Sequence, residues 1–221
     1  MQDPWGSWDF FSTARLGVEV MATLAFALSG LLEAARRRLD GVGVVVVACL
    51  AAFGGGTLRD ILLDRRPFFW VQQAHWLWVL IGLSLGAMLF MRSRHLQFTE
   101  RAMLWPDALG LGLFTASGTQ IALQANMPLL VAALMGMVTA SFGGVLRDIV
   151  CNQIPAALSD HRPYAVVAFA GGWVLIGAQA LGADPTTALI VCATFTCGLR
   201  LAALKWDWRL PAWRTGDDGG P

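Results

Sequence analysis

The sequence predicts an all-α integral membrane protein: seven transmembrane helices, arranged as two inverted three-helix repeats plus a seventh helix. Three observations carry this. The 221 residues are 56% hydrophobic and 14% charged, with a mean hydropathy of +0.58, whereas an ordinary soluble domain is about 25% charged. Seven apolar stretches approach the ~20 residues that a spanning helix needs. One polar signature also recurs at a fixed interval along the chain.

The stretches are 14–35, 42–64, 74–92, 102–124, 128–151, 163–182 and 186–204. ARRRLDG, DRRPFF, MRSRHLQ, ANMP, QIPAALSDHRP and GADP separate them, and such short links make neighbouring helices antiparallel. Repeat 1 covers 14–92, repeat 2 covers 102–182, and 205–221 forms a cytoplasmic tail, all within one transmembrane domain, 1–221. MQDPWGSWDFF lacks a basic segment ahead of the first apolar stretch, so the first helix is expected to be retained rather than cleaved. WDWRLPAW, after the last span, has the composition of an interfacial aromatic anchor.

Loop charge sets the orientation. Arg36, Arg37, Arg38, Arg92, Arg94, Arg101 and Arg162 fall on one side, with Arg200, Lys205, Arg209 and Arg214 at the C-terminal end. The other side carries Arg65 and Arg66, plus Arg15 near the first helix start. Basic loops stay inside, which puts the N-terminus outside and the C-terminus in the cytoplasm.

FGGGTLRDILLDRRP (Phe53–Pro67) and SFGGVLRDIVCNQIP (Ser141–Pro155) align without a gap at a shift of 147 − 59 = 88. That shift pairs Gly55 with Gly143, Gly56 with Gly144, Arg59 with Arg147, Asp60 with Asp148 and Pro67 with Pro155. Upstream it pairs FALSG (Phe26–Gly30) with FTASG (Phe114–Gly118), and Glu19 with Asp107. Apolar segments alike by chance would not keep their polar residues in step, so the chain is a duplication. Each copy holds three spans. Three is odd, so the second copy enters the membrane from the opposite face, the arrangement common in transporters.

Gly54, Gly55 and Gly56 in the second span, and Gly143 and Gly144 in the fifth, predict a kink or break, since each glycine weakens a helix by about 1 kcal/mol relative to alanine. Carbonyls freed at a break can hold a cation where they face a water-filled cavity. Close helix packing is the alternative use of such glycines. Intramembrane charges face the bundle interior and carry partners, which predicts the pairs Glu19–Arg59 and Asp107–Arg147 lining two opposed vestibules, with Asp60 and Asp148 beside them. Purely structural staples are the alternative. Ser29 and Ser117, ten residues after their acids, are expected near the midplane, level with the glycines, lining a pore or bonding their own helix. Thr57 is a further polar candidate; Val145 stands opposite it in the second copy.

Other classes fall away. Cys49, Cys151, Cys192 and Cys197 form no C-x-x-C and lie in or beside apolar segments, and the three histidines are scattered, so no metal site is expected beyond transient potassium. No nucleophile, zincin or phosphate-loop arrangement occurs, and no catalytic residue is assigned. A net charge of +1 implies no nucleic-acid partner.

The doubled pattern, an acid ten residues before Ser-Gly and then Gly-Gly-x-x-Arg-Asp about 25 residues on, resembles the trimeric intracellular cation channels. Their prokaryotic relatives belong to a group also labelled glycine transporters. The resemblance covers residues 15–204. It implies a homotrimer with one pore per subunit, lined by kinked second and fifth helices and passing monovalent cations, chiefly potassium. It implies no cofactor; potassium or sodium ions permeate, and membrane lipids are the surrounding partners, bound lipid included. The location implied is the bacterial inner membrane. An alternating-access carrier of glycine or a similar zwitterion is the alternative. Animal members carry a basic control residue in the fourth helix; here only Arg101 stands at its edge.

Overall fold

The computed structural model describes residues 10–90, 100–159 and 161–211. Among these residues the chain is all-helical: α1 (Phe10–Arg36), α2 (Gly41–Leu62), α3 (Phe69–Gln72), α4 (His75–Phe90), α5 (Glu100–Gln124), α6 (Leu129–Val150), α7 (Ala156–Ser159), α8 (Ala165–Ala180) and α9 (Pro185–Lys205). Seven of these fall on the seven expected stretches, and α3 and α7 are short additions. Arg92, Arg94, Arg214 and the chain after Pro211 lie outside the described residues, as does the side chain of Arg101.

α1, α2, α6 and α9 hold windows long and apolar enough to cross a membrane. α4 and α8 are equally apolar but only 16 residues long, about 24 Å at 1.5 Å per residue, against a hydrocarbon core of ~30 Å. α5 has the length, but Pro106 and Asp107 interrupt its apolar face.

The helix ends repeat. Left-handed residues stop α1 at Arg38 (φ 55°) and α5 at Asn126 (φ 56°), and likewise α2 at Asp64 (φ 49°) and α6 at Asn152 (φ 55°). Each left-handed turn lets the next amide reach back to a terminal carbonyl: Leu39 to Ala34 and Met127 to Ala122 (both 3.1 Å), Arg65 to Asp60 and Gln153 to Asp148 (both 2.8 Å). Such bonds satisfy carbonyls the helix leaves open. Aspartates start two helices: Asp40 accepts from Gly43 N (2.8 Å) and Asp184 from Thr187 N (3.0 Å).

α1, α2, α5 and α6 form a central four-helix body, with α8 and α9 packed behind α5 and α6, and α4 resting on α2. Its middle is apolar: Ala22, Phe26, Ala51, Leu111, Phe114 and Ala140 are buried together. Phe26 and Phe114 stack there, with ring centroids 5.6 Å apart at 20°.

Of the expected kink or break at the glycines, no break opens: both helices run through their glycine pairs. α2 is α-helical from Gly41 to Leu62 and α6 from Leu129 to Val150. The glycines bring the helices together instead. A Cβ at Gly55 would collide with the carbonyl oxygen of Thr139, and one at Gly143 with that of Ala51. In water a glycine run weakens a helix; between membrane helices the absent side chain lets two backbones touch. Propensity favours the break, and packing overrides it.

Candidate functional site: two arginine–carboxylate clusters

Two clusters of buried charge flank the apolar middle. In the first, Arg59 donates from Nε to Asp60 Oδ1 (2.9 Å) and from Nη1 to Glu19 Oε1 (2.7 Å) and Ser117 Oγ (3.4 Å). Ser117 donates in turn to Glu19 Oε1 (3.1 Å). Asp60 Oδ2 accepts the backbone N–H of Phe69 (2.9 Å), tying α3 to the cluster. In the second, Arg147 donates from Nε to Asp148 Oδ1 (2.8 Å) and from Nη1 to Asp107 Oδ1 (2.8 Å) and to Ser29 Oγ. Ser29 lies 3.5 Å from Asp107 Oδ1, and Asp148 Oδ2 accepts from Ala156 N (2.9 Å), tying in α7. The short helices are therefore caps on the clusters.

Burial makes these ion pairs consequential. The Arg59 side chain is 0% exposed and that of Arg147 is 4%. A buried pair gains little over an apolar substitute, yet removing one partner costs about 3–5 kcal/mol. Both guanidiniums meet carboxylates from two helices, so each cluster locks α1 to α2 or α5 to α6.

The two serines stand apart from each other. Each sits in the cluster of the other half: Ser117 with Glu19 and Arg59, Ser29 with Asp107 and Arg147. The reason is register. Acid and serine are ten residues apart on both helices, 29 − 19 and 117 − 107, about 15 Å of helix. When α1 and α5 run antiparallel, setting one acid level with the opposite serine sets the other pair level as well. The clusters thus stand ~15 Å apart along the bundle, with Phe26 and Phe114 between them.

The remaining candidates take different places. Gly144 adjoins the second cluster, where an added Cβ would lie 3.9 Å from Asp107 Oδ1. Gly56 lies under the Phe69 ring. Gly54 and Thr57 face away from both clusters, into an apolar side groove of about 360 Å³ shared with Phe142 and Leu146. The Thr57 hydroxyl donates to Phe53 O (2.7 Å) and accepts from Trp70 Nε1 (3.0 Å). On an α-helix, positions 54, 57, 58 and 61 form one face and 55 and 59 another.

The surroundings of the two clusters differ. Beside the first lies a pocket of about 210 Å³ bounded by Glu19 and Asp60, by Phe53, Phe69, Trp70 and Trp76, and by Arg15 and Arg65. Where Phe69 caps Asp60, the methyl-bearing Ala156 caps Asp148. The second cluster is instead backed by Tyr164, whose hydroxyl points toward Gly144. Arg200 lies over that ring at 4.8 Å and donates to Pro163 O (3.3 Å).

Tyr164 and Arg200 are missing from the expected site. Arg200 reads as a terminal loop charge, yet it lies inside α9 and is 2% exposed. The signal was an arginine flanked by apolar residues in CGLRLAAL, and the single tyrosine of the chain at the shift-88 position of Trp76. Glu33 is likewise 3% exposed and is held by Arg37 (2.9 Å) and Arg36 (3.5 Å) at the end of α1. Among the described residues no His, Cys, Asp or Glu group is placed to hold a metal ion.

A duplicated, all-helical membrane bundle with mirrored ion-pair clusters is the class that fold and site define. The family model described as Glycine transporter matches residues 16–92 and again 104–180, a displacement of 88 at both ends. The chain belongs to that family, which is akin to the trimeric intracellular cation channels. A UPF0126 membrane protein of Vibrio cholerae is 35% identical over 88% of this chain and 80% of its own. The UPF0126 inner membrane protein YadS of Escherichia coli K12 is 34% identical over 91% and 97%. Among solved structures, the trimeric intracellular cation channel orthologue of Rhodobacter sphaeroides superposes with a TM-score of 0.82 at 32% identity, covering 89% of this chain and 100% of that one. A second structure, described under conductance through TRIC cation channels, gives 0.80 at 31%, covering 90% and 96%.

Proposed function

We propose that the chain is a passive channel for monovalent cations, potassium foremost, with one pathway in each subunit of a homotrimer. The single observation that carries this is the pair of arginine–carboxylate–serine clusters on either side of the Phe26–Phe114 waist. They form polar stations approached from opposite faces, in a chain similar to solved cation channels. The pathway runs between α1, α2, α5 and α6, past Glu19, Arg59, Asp60 and Ser117 and then Ser29, Asp107, Arg147 and Asp148. Glycines 55 and 143 hold its walls together.

In this reading α1, α2, α4, α5, α6, α8 and α9 cross the bilayer as two inverted three-helix units plus one helix. α3 and α7 lie at the two mouths. The basic residues Arg36–Arg38 and Arg162 favour an inside position for the α1–α2 and α6–α8 links, which puts the N-terminus outside and the C-terminus in the cytoplasm. The membrane is the bacterial inner membrane, as named for the Escherichia coli relative. The trimer follows the oligomer named for the Rhodobacter sphaeroides structure. No chemistry on a substrate is proposed, only transport.

The test is potassium flux into liposomes, compared with choline, for wild type and Ser29→Leu. Potassium-selective flux that the leucine suppresses is expected. Absence of flux, with saturable counterflow of labelled glycine, overturns the channel. Counterflow belongs to the second reading, an alternating-access carrier of a small zwitterion. That reading has one observation in its favour: the stacked Phe26 and Phe114 rings lie between the two clusters.

A further inference from the structure

We infer that Arg59 and Arg147 are tethered occupants of two cation positions, and that an ion crossing the protein must take the place of each guanidinium in turn. The inference rests on the channel reading and names the residues at which ions would dwell.

Consider what surrounds each guanidinium. Arg59 is held by Glu19 Oε1, Asp60 Oδ1 and Ser117 Oγ, at 2.7, 2.9 and 3.4 Å. Arg147 is held by Asp107 Oδ1 and Asp148 Oδ1, both at 2.8 Å, and by Ser29 Oγ. Two carboxylates and a hydroxyl, drawn from three helices, converge on one positive charge. This is an oxygen cradle for a cation, and the chain supplies the cation itself. Guanidinium is weakly hydrated for an ion, so the exchange partner is a monovalent cation that sheds water readily. A calcium ion wants about 6–8 oxygens, which three side chains do not supply.

Charge accounting points the same way. With its arginine seated, the second cradle carries two negative charges against one positive and attracts a cation without trapping it; the first is nearer balance, because Arg65 also lies 3.7 Å from Asp60 Oδ1, and it holds a further cation more weakly. With the arginine withdrawn, both carboxylates of a cradle lose their principal partner and demand a replacement. Conduction needs positions that bind enough to admit an ion and weakly enough to release it, and an exchangeable internal cation meets both needs.

The first cradle also has somewhere for its arginine to go. Glu19 and Asp60 form part of the wall of the 210 Å³ pocket, and the Arg59 guanidinium already lies 5.5 Å over the Phe69 ring on that side. Aromatic faces attract guanidinium, so the pocket's rings offer a parking place when the carboxylates turn to an ion.

The test uses full-length wild type, Arg59→Ala and Arg147→Ala, in liposomes and in detergent, with low-millimolar guanidinium chloride as the probe. Each alanine variant is expected to pass potassium several-fold faster than wild type. Guanidinium should refill the vacated cradle, slowing the variants and leaving wild type unchanged. In detergent it should raise the melting temperature of the variants, where choline does not. A folded variant that conducts no faster than wild type, or whose melting ignores guanidinium, overturns the inference. If an alanine variant does not fold, Arg59→Gln, which keeps the bulk and discards the charge, supplies the same two readouts. If wild type passes no potassium at all, the channel reading fails, while guanidinium-dependent melting still judges the cradles.

Discussion

Ser117 donates a hydrogen bond to Glu19 across 3.1 Å, although 98 residues separate them. It links one half's serine to the other half's acid, and the same hydroxyl accepts from Arg59. Ser117→Ala is therefore expected to lower stability by about 1 kcal/mol, the net worth of a typical hydrogen bond. A double-mutant cycle with Glu19→Gln should be non-additive, because both changes act on one network. Denaturant unfolding in detergent checks this; strict additivity would mean that the serine is a bystander.

Gly55 and Gly143 predict a contrast with Gly82 and Gly86. The first two abut the opposing backbone, whereas a Cβ at either of the others meets nothing within 4 Å. Gly55→Ala should cost roughly 1–3 kcal/mol through overpacking. Gly82→Ala should be neutral or gain up to about 1 kcal/mol from helix propensity. Thermal melting of the four single alanine variants decides it.

The waist makes its own prediction. Phe26 and Phe114 are 0% and 1% exposed, and their rings stack between the two clusters. Phe114→Ala opens a cavity there and should destabilise by about 3–5 kcal/mol. It should also raise potassium flux per folded protein, since the apolar barrier is thinned. Flux normalised to the monodisperse fraction separates the two effects.

Beyond α9, the Asp207 carboxylate is held below its ordinary value of 3.8 by hydrogen bonds from Arg209 and Arg162. Because the folded value is the lower one, its contribution is complete above the ordinary value and fades as pH falls through the folded one. Protection of the Leu210 amide, which bonds His161 O at 2.6 Å, should hold from neutral pH to about pH 5 and fall below pH 3.8. Asp207→Asn should show the reduced protection at neutral pH, without an acid step. Hydrogen exchange measured at Leu210 reads both.

Much of the architecture is written in periodicity and polarity. The seven stretches locate the long helices because an apolar run of that length has few other uses, and the shift of 88 matches Arg59 to Arg147 because charges in such runs are rare. α3 and α7 escape because four residues carry no period; Pro67 and Pro155 after each Arg-Asp were their only trace. The contacts of the serines escape because a position along its own helix does not say which residue of the antiparallel partner lies level with it. Whether glycine opens a helix or lets a neighbour in depends on that neighbour, and Thr139 and Ala51 lie 84 and 92 residues from their glycines. Arg200 was displaced by the assumption that a charge near a terminus belongs to a loop.

The aromatic pocket stands beside one cluster, while alanine and tyrosine attend the other. Equal salt on both sides of the membrane would therefore not make the molecule an ohmic conductor. On the proposed pathway, ions entering past Phe69 and Trp76 would meet a different field from ions entering past Tyr164, so reversing the voltage would not reproduce the same current. Any such rectification is a record of how far the two copies have drifted apart since they were one.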